Sequence, residues 1–245
     1  MREATKAMMR KDRKLPGAMH GKHSMKNPNF MSPSWLLKAA RSVSGDIDLD
    51  PASDDTAQKA VKAKRYFTKL DDGLSKNWVK PDVHTRIYLN APGGLLRSKE
   101  QQASIPDEFR LTRSSAAVWW AKLCSEYALM DRIRSPVNGN QRLFSCEAFF
   151  IGFSIELLQN CQVFEREPFY YHPLDFPCCI PRDRISFVEL DKRGKRTVAG
   201  EPGHGNVIVY MPPTSGSRIE KIKAFEQTFM KIGKVHVPTH WSIDQ

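Results

Sequence analysis

The sequence predicts an α/β fold built on a mostly parallel sheet, and three observations lead there. Short apolar, β-branched runs recur along the chain. Segments with apolar residues at helical spacing separate them. A hydrophobic fraction of 40% over 245 residues is enough to build a core. Strands interleaved with helices argue for an α/β sheet rather than a sandwich or a bundle.

In chain order, Ser32-Pro33 reads as a helix start. Ser32 is placed to cap the free amides, and Pro33 at the first helical position loses no bond. Trp35, Leu36, Ala39, Ala40 and Val43 continue at helical spacing to a stop at Gly45. Asp46-Ile-Asp-Leu-Asp-Pro51 is a short alternating strand broken by proline. Residues 54–65 form a helix, Arg86 to Asn90 a buried strand, and residues 95–113 a polar loop. Ser114 to about Arg134 is a helix carrying Val118, Trp119, Leu123, Tyr127 and Met130. The dense run at 148–154 is a central strand, followed by a helix at 155–164. Strands follow at 184–190 and 206–211, with a basic loop between them, and residues 217–232 are a last helix. No internal repeat is visible.

The charge is uneven. The chain has 38 Lys plus Arg and 27 Asp plus Glu, a formal +11. Residues 1–26 hold eight basic and two acidic side chains, +6, which leaves +5 for the remainder. Residues 1–29 contain few large aliphatics, so they read as a flexible basic arm on one domain spanning 30–245. A basic arm beside a basic body suits a polyanion partner, because each phosphate neutralised releases counterions. Arg182, Arg184, Lys192, Arg193, Lys195 and Arg196 are further candidates for phosphate contact. No run of about 18 apolar residues suggests a membrane span, and the N-terminus lacks the apolar core of a secretory signal. Five cysteines without regular spacing suit a reducing compartment and predict no metal site.

Ligands of open α/β sheets bind outside the carboxyl ends of the strands. Two predicted strand ends are chemically loaded. The first is Asp48-Leu-Asp50-Pro51-Ala52-Ser53, where carboxylates accept from ammonium or hydroxyl groups. The second is Asn90-Ala91-Pro92-Gly93-Gly94. There an amide oxygen and the next carbonyl are two acceptors, Pro92 stiffens the turn, and the glycines permit close approach.

In this order the motifs resemble those of the phage-type DNA adenine methyltransferases, the phage Dam-like family. The resemblance runs from about Asn29 to Pro213. It is carried by Met31-Ser-Pro-Ser-Trp-Leu-Leu, Ile47-Asp-Leu-Asp-Pro-Ala-Ser53 and Val61-Lys-Ala-Lys-Arg-Tyr-Phe-Thr68. Further along lie Asp71-Asp-Gly-Leu74 with Trp78, Tyr88-Leu-Asn-Ala-Pro-Gly-Gly94, Trp119-Trp120, and Gly205-Asn-Val-Ile-Val-Tyr-Met-Pro-Pro213. It implies a class I (Rossmann-like) methyltransferase fold, S-adenosylmethionine as cofactor, and methyl transfer to the exocyclic amino nitrogen of adenine in double-stranded DNA. It also implies a bacterial host cytoplasm and a phage or prophage gene, in the setting of restriction and modification. Asp50, then Asp48, with Pro51, Ala52, Ser53 and Asp71 or Asp72, would line the cofactor. Asn90, Ala91, Pro92 and Gly93 would hold the target amine. The target base would have to leave the duplex.

Two departures from the family pattern stand out. Ala91 replaces a proline, and Gly93 supplies no ring for stacking on the base, a part for which Tyr66, Phe67, Trp119 or an aromatic in the 95–113 loop are candidates. A glycine-rich loop after Asp50 is also missing. One of Trp119 and Trp120 should pack in the core. Two rival readings remain: a non-catalytic DNA-binding protein on a decayed methyltransferase fold, and methylation of a protein amide.

Overall fold

The structure is a computed structural model. It describes residues 30–96, 99–103, 105, 107, 114–132, 145–161, 171–190, 196–198, 205–213 and 217–241. The basic arm lies outside the described residues, as do Lys192, Arg193 and Lys195.

The helices are α1 (Ser34–Ser44), α2 (Asp55–Val61), α3 (Lys99–Ala103), α4 (Ser115–Arg132), α5 (Leu157–Asn160) and α6 (Arg218–Phe229). The strands are β1 (Leu49–Asp50), β2 (Arg65–Tyr66), β3 (His84–Asn90), β4 (Ser145–Gly152) and β5 (Cys178–Pro181), then β6 (Val188–Leu190), β7 (Arg196–Val198), β8 (Val207–Met211) and β9 (Gly233–His236).

Seven strands form one sheet in the order β2-β1-β3-β4-β8-β5-β9, while β6 and β7 form a separate antiparallel pair. β2, β1, β3 and β4 are mutually parallel. β8 is antiparallel to both β4 and β5, so β5 runs with the first four strands. β9 runs against β5 at the edge. The sheet is therefore mostly parallel with a reversed strand slotted into it.

Alternation along the strands builds two cores. Leu49, Ile87, Leu89, Ala148, Phe150, Val207 and Val209 face a layer containing α4. Ile47, Tyr88, Phe149, Ile151, Ile208 and Tyr210 face α1 and α6. Both faces of the sheet are thus covered, the condition under which parallel strands are stable.

Several boundaries differ from expectation. Pro33, with extended backbone, is the N-cap of α1, and the helix begins at Ser34. The Ser32 hydroxyl instead accepts from Tyr88 Oη at 2.8 Å, so it ties the helix entry to β3. Gly45 does end α1, at φ 88°. The second helix stops at Val61 rather than 65, because Lys62 turns left-handed and the chain enters β2. Only Val188–Leu190 of the expected strand 184–190 pairs, and it does so outside the main sheet. The helix expected at 155–164 is confined to Leu157–Asn160 among the described residues. Trp119 and Trp120 are both buried, not one of them. Trp120 packs edge-on to Phe150 and Phe176, and Trp119 stacks on Trp78. The five cysteines are buried and none forms a disulfide, with Cys178 and Cys179 in β5. Burial pushes the Cys178 thiol up to about 11. No described helix is long and apolar enough to cross a membrane.

β1 is only two residues long, so side chains must help hold it. Asp48 does this. Its Oδ2 accepts from the Arg86 backbone N–H at 3.0 Å and from Arg86 Nε at 2.6 Å, and its Oδ1 accepts from Arg86 Nη2 at 3.1 Å. Lys64 Nζ approaches Oδ1 at 2.8 Å. Burial alone would raise the Asp48 pKa, but the bonds from Arg86 and Lys64 outweigh it and hold the carboxyl at about 2. A depressed folded pKa contributes stability above the ordinary value of 3.8, and that stability is lost as pH falls toward 2. Charge-assisted bonds contribute roughly 1.5–3 kcal/mol, and solvent access reduces this. Asp48→Asn is therefore expected to lower stability in urea by about 1 kcal/mol at pH 7. The difference from wild type should close below pH 3.

Candidate functional site

From β1 the chain passes through α2 to β2 on one side, then returns to β3 on the other side of β1. The crevice outside the carboxyl ends of β1 and β3 is therefore the topological switch point of the sheet, the place where ligands of open α/β sheets bind. Leu49 pairs with Ile87. The last residue of β1, Asp50, and the last of β3, Asn90, flank that crevice.

Asp50 is 3% exposed. Its Oδ2 accepts from Gln58 Nε2 at 2.9 Å, and the Ala52 N–H reaches Oδ1 at 3.4 Å. Gln58 Nε2 also donates to Ser53 Oγ at 2.8 Å, while Gln58 Oε1 accepts from the Ala63 N–H. Gln58 is positioned by α2, which Asp54 caps by accepting from the Thr56 and Ala57 N–H groups. Burial pushes the Asp50 carboxyl up to about 7, against the hydrogen bonds that favour its charged form. No salt bridge to Asp50 forms among the described residues. A buried carboxylate with polar neighbours and no cation is a site that a cationic ligand group would complete.

The turn after Asp50 is built tightly. The Phe67 N–H donates to the Asp50 carbonyl and the Ser53 N–H donates to the Phe67 carbonyl, so the loop after β1 is zipped to the continuation of β2. Gly73 lies directly on Pro51: a β-carbon there would sit 2.1 Å from the Pro51 carbonyl oxygen and 3.2 Å from the Trp119 ring. This contact brings exposed Asp72, at φ 53°, to the edge of the same turn. Asp71 instead caps its own loop by accepting from the Thr68 N–H and hydroxyl.

At the other strand end, Asn90 Nδ2 donates to the Phe30 carbonyl at 2.7 Å. A carbonyl oxygen only accepts, so the amide nitrogen must face Phe30. That settles the orientation of the amide, with Oδ1 turned away from Phe30. Ala91 is buried, Pro92 half-buried and Gly93 exposed. The Phe153 ring stands over Gly93, within 3.3 Å of where its β-carbon would be. Phe153 stacks on Phe30 at 5.4 Å between ring centroids, and Phe187 packs against both.

The structure thus groups Asp50, Pro51, Ala52, Ser53 and Asp72 on one side, and Asn90, Ala91, Pro92 and Gly93 on the other. Asp48 does not join them, because its oxygens are taken by Arg86 and Lys64. Its expected place among the cofactor residues gives way to a structural one. Of the aromatic candidates, Tyr66 donates to Asp55 at the surface, Phe67 lies under Arg65, and Trp119 is buried. The rings beside the Asn90 turn are Phe30 and Phe153, which sequence reasoning missed. Gln58 was missed too, since nothing in its spacing marks it. Arg182 and Arg184 are exposed.

A cavity of about 380 Å³ lies elsewhere, among Ser44, His84, Arg86, Ser145, Glu147, Pro213, Ser217 and Lys221. These residues sit at the amino ends of β3 and β4, opposite the switch point. Its charges are already matched, Arg86 by Asp48 and Lys221 by Glu147. This cavity therefore belongs to the opposite end of the sheet from the two strand ends.

No family model matches the chain, and no curated protein matches it. A crystal structure of a modification subunit of a putative type I restriction enzyme from Vibrio vulnificus YJ016 is similar over 76% of this chain, at 10% identity and a TM-score of 0.38. The match covers 45% of that protein, so this chain spans less than half of it. A likeness of that order carries no functional argument.

The raised Asp50 pKa has a consequence for stability. The folded state holds this proton more tightly than the unfolded chain, so stability falls as pH rises from 3.8 toward 7. Asp50→Asn is expected to be more stable than wild type at pH 8, with the gap closing as pH falls to 4. Thermal unfolding across that range checks it. Gly73→Ala should instead destabilise by about 1–3 kcal/mol in urea, the usual cost of overpacking.

Proposed function

We propose that this chain is an S-adenosylmethionine-dependent DNA adenine methyltransferase related to the phage Dam-like family. The carrying observation is the Asn90 amide. It stands at the switch point with its nitrogen committed to Phe30, which turns its oxygen away as an acceptor. The reversed β8 between β4 and β5 also suits the class I methyltransferase fold, a fold-level analogy.

The residues fit the cofactor. The buried Asp50 carboxylate has no cation beside it among the described residues, and the ligand's ammonium or sulfonium would supply one. Ser53 and Asp72 would meet hydroxyl or amino groups, beside Pro51 and Ala52 of the same turn. When bound, S-adenosylmethionine supplies an electrophilic methyl group. The chain's part in the reaction is to hold the amine. The adenine amino nitrogen is a weak nucleophile, because its lone pair is delocalised into the ring. Asn90 Oδ1 and the Ala91 carbonyl accept its two hydrogens, which favours the tetrahedral nitrogen of the transition state. Pro92 stiffens the turn that carries both acceptors. Alignment of the amine with the methyl adds the proximity contribution. The +11 charge favours the polyanionic substrate.

Ala91 and Gly93 favour a second reading, a DNA-binding protein that has lost catalysis. Labelled S-adenosylmethionine with unmethylated plasmid DNA separates the two. Label recovered in N6-methyladenine, and reduced about 100- to 1,000-fold in Asn90→Ala, is the expected result. DNA binding without cofactor binding selects the second reading, and label in protein would mean an amide acceptor. Cofactor affinity measured by equilibrium dialysis should weaken as pH falls from 8 to 6, as Asp50 gains its proton, and this dependence should vanish in Asp50→Asn.

A further inference from the structure

Asn90 is useful as an acceptor only if its amide keeps one orientation, and a side-chain amide at a strand end has two that differ by a half-turn. The structure contains a device that chooses between them. The Phe30 carbonyl takes Nδ2 at 2.7 Å. That carbonyl is itself held from two sides. Next to it, the Met31 N–H donates to the Val188 carbonyl at 2.7 Å and the Val188 N–H returns to the Met31 carbonyl at 2.9 Å, which locks the segment to β6. On its ring side, Phe30 stacks on Phe153 at 5.4 Å and packs on Phe187 at 6.3 Å. Phe153 and Phe187 are 5.4 Å apart, so the three rings form a closed cluster. The same Phe153 ring covers Gly93, three residues beyond Asn90. Asn90 pairs with Ile151 across the sheet, which sets Phe153 two residues past that partner at the same strand end.

We infer that Phe30 is a positioning residue for Asn90: clamped by Phe153, Phe187 and the Met31–Val188 bridge, its carbonyl fixes the amide so that Oδ1 faces the amine site. The cluster holds both ends of the Asn90–Gly93 turn and does the stiffening that the proline missing at Ala91 would have done. No contact of Phe30 with substrate or cofactor is needed. The inference rests on the amine-holding role proposed for Asn90, but its structural half stands apart from that role.

The first measurement needs no activity. In ¹⁵N-labelled protein without ligands, the side-chain NH₂ of Asn90 (assigned by its loss in Asn90→Ala) should exchange with solvent slowly. In Phe30→Ala it should exchange about tenfold faster or more, with Phe30→Tyr close to wild type, because a ring is restored. Equal exchange in wild type and Phe30→Ala overturns the positioning device whatever the enzyme does. The second measurement is turnover with labelled S-adenosylmethionine and unmethylated plasmid DNA. Phe30→Ala and Phe153→Leu should lower kcat about tenfold or more, with KM for DNA and cofactor affinity within about twofold of wild type, and Phe30→Tyr should recover kcat. Parallel losses in kcat, cofactor affinity and thermal midpoint, not recovered by Phe30→Tyr, would mean a general packing role and overturn the inference. Slow, Phe30-dependent exchange in a wild-type protein without transferase activity would overturn the proposed function and leave the amide clamp intact.

Discussion

The ion pair of Asp48 with Arg86 is what makes the rest possible. β1 is only two residues long, and Asp50 ends it at the switch point. Backbone bonds flank the strand on both sides, from Asp48 to Arg86 and from Lys64, Arg65 and Phe67 back to Ile47, Asp48 and Asp50. Side-chain and backbone bonds from a single arginine add to these, and Lys64 adds a second cation from the turn before β2. Because the strand order reverses between β1 and β3, the pair bridges the two strands whose far ends form the crevice.

Asp50 shows the opposite use of a carboxylate. Asp48 is surrounded by cations and is held ionised. Asp50, two residues on, is buried with neutral donors and resists ionisation. Two identical side chains at alternate positions are driven apart by their surroundings alone. The stabilising one is unavailable to a ligand, and the available one costs stability. This is the usual relation between fold and site: groups poised for a ligand are under-satisfied until it arrives.

Much of this was legible in the sequence. Strand-helix alternation predicted the layered α/β fold. Asp50-Pro51 and Asn90-Ala91-Pro92-Gly93 were correctly read as lying at strand ends, because Pro51 and Pro92 end strands for a steric reason that needs no tertiary context. What escaped detection was non-local. β2 spans only Arg65–Tyr66, too short for any periodic signal, and falls at the end of the expected helix 54–65, while β5 is a four-residue run, Cys178-Cys179-Ile180-Pro181, ended by proline. Nothing near Asp48 announces that Arg86 will face it. Ser32 had the composition of a helix cap, yet Tyr88 claims its hydroxyl from another element. Phe30 and Phe153 are separated by over a hundred residues, so no local pattern could reveal that their rings meet beside Asn90.

The buried cysteines carry a last consequence. Cys124 lies in α4, Cys146 in β4, and Cys178 and Cys179 in β5, all closed to solvent and none in a disulfide. Burial keeps their thiols protonated at neutral pH, so the thiolate that alkylating and oxidising reagents attack is scarce while the sheet is shut. The protein thus carries its own clock: the rate at which a bulky maleimide reaches these sulfurs measures how often the middle of the sheet opens, with no probe added to the chain.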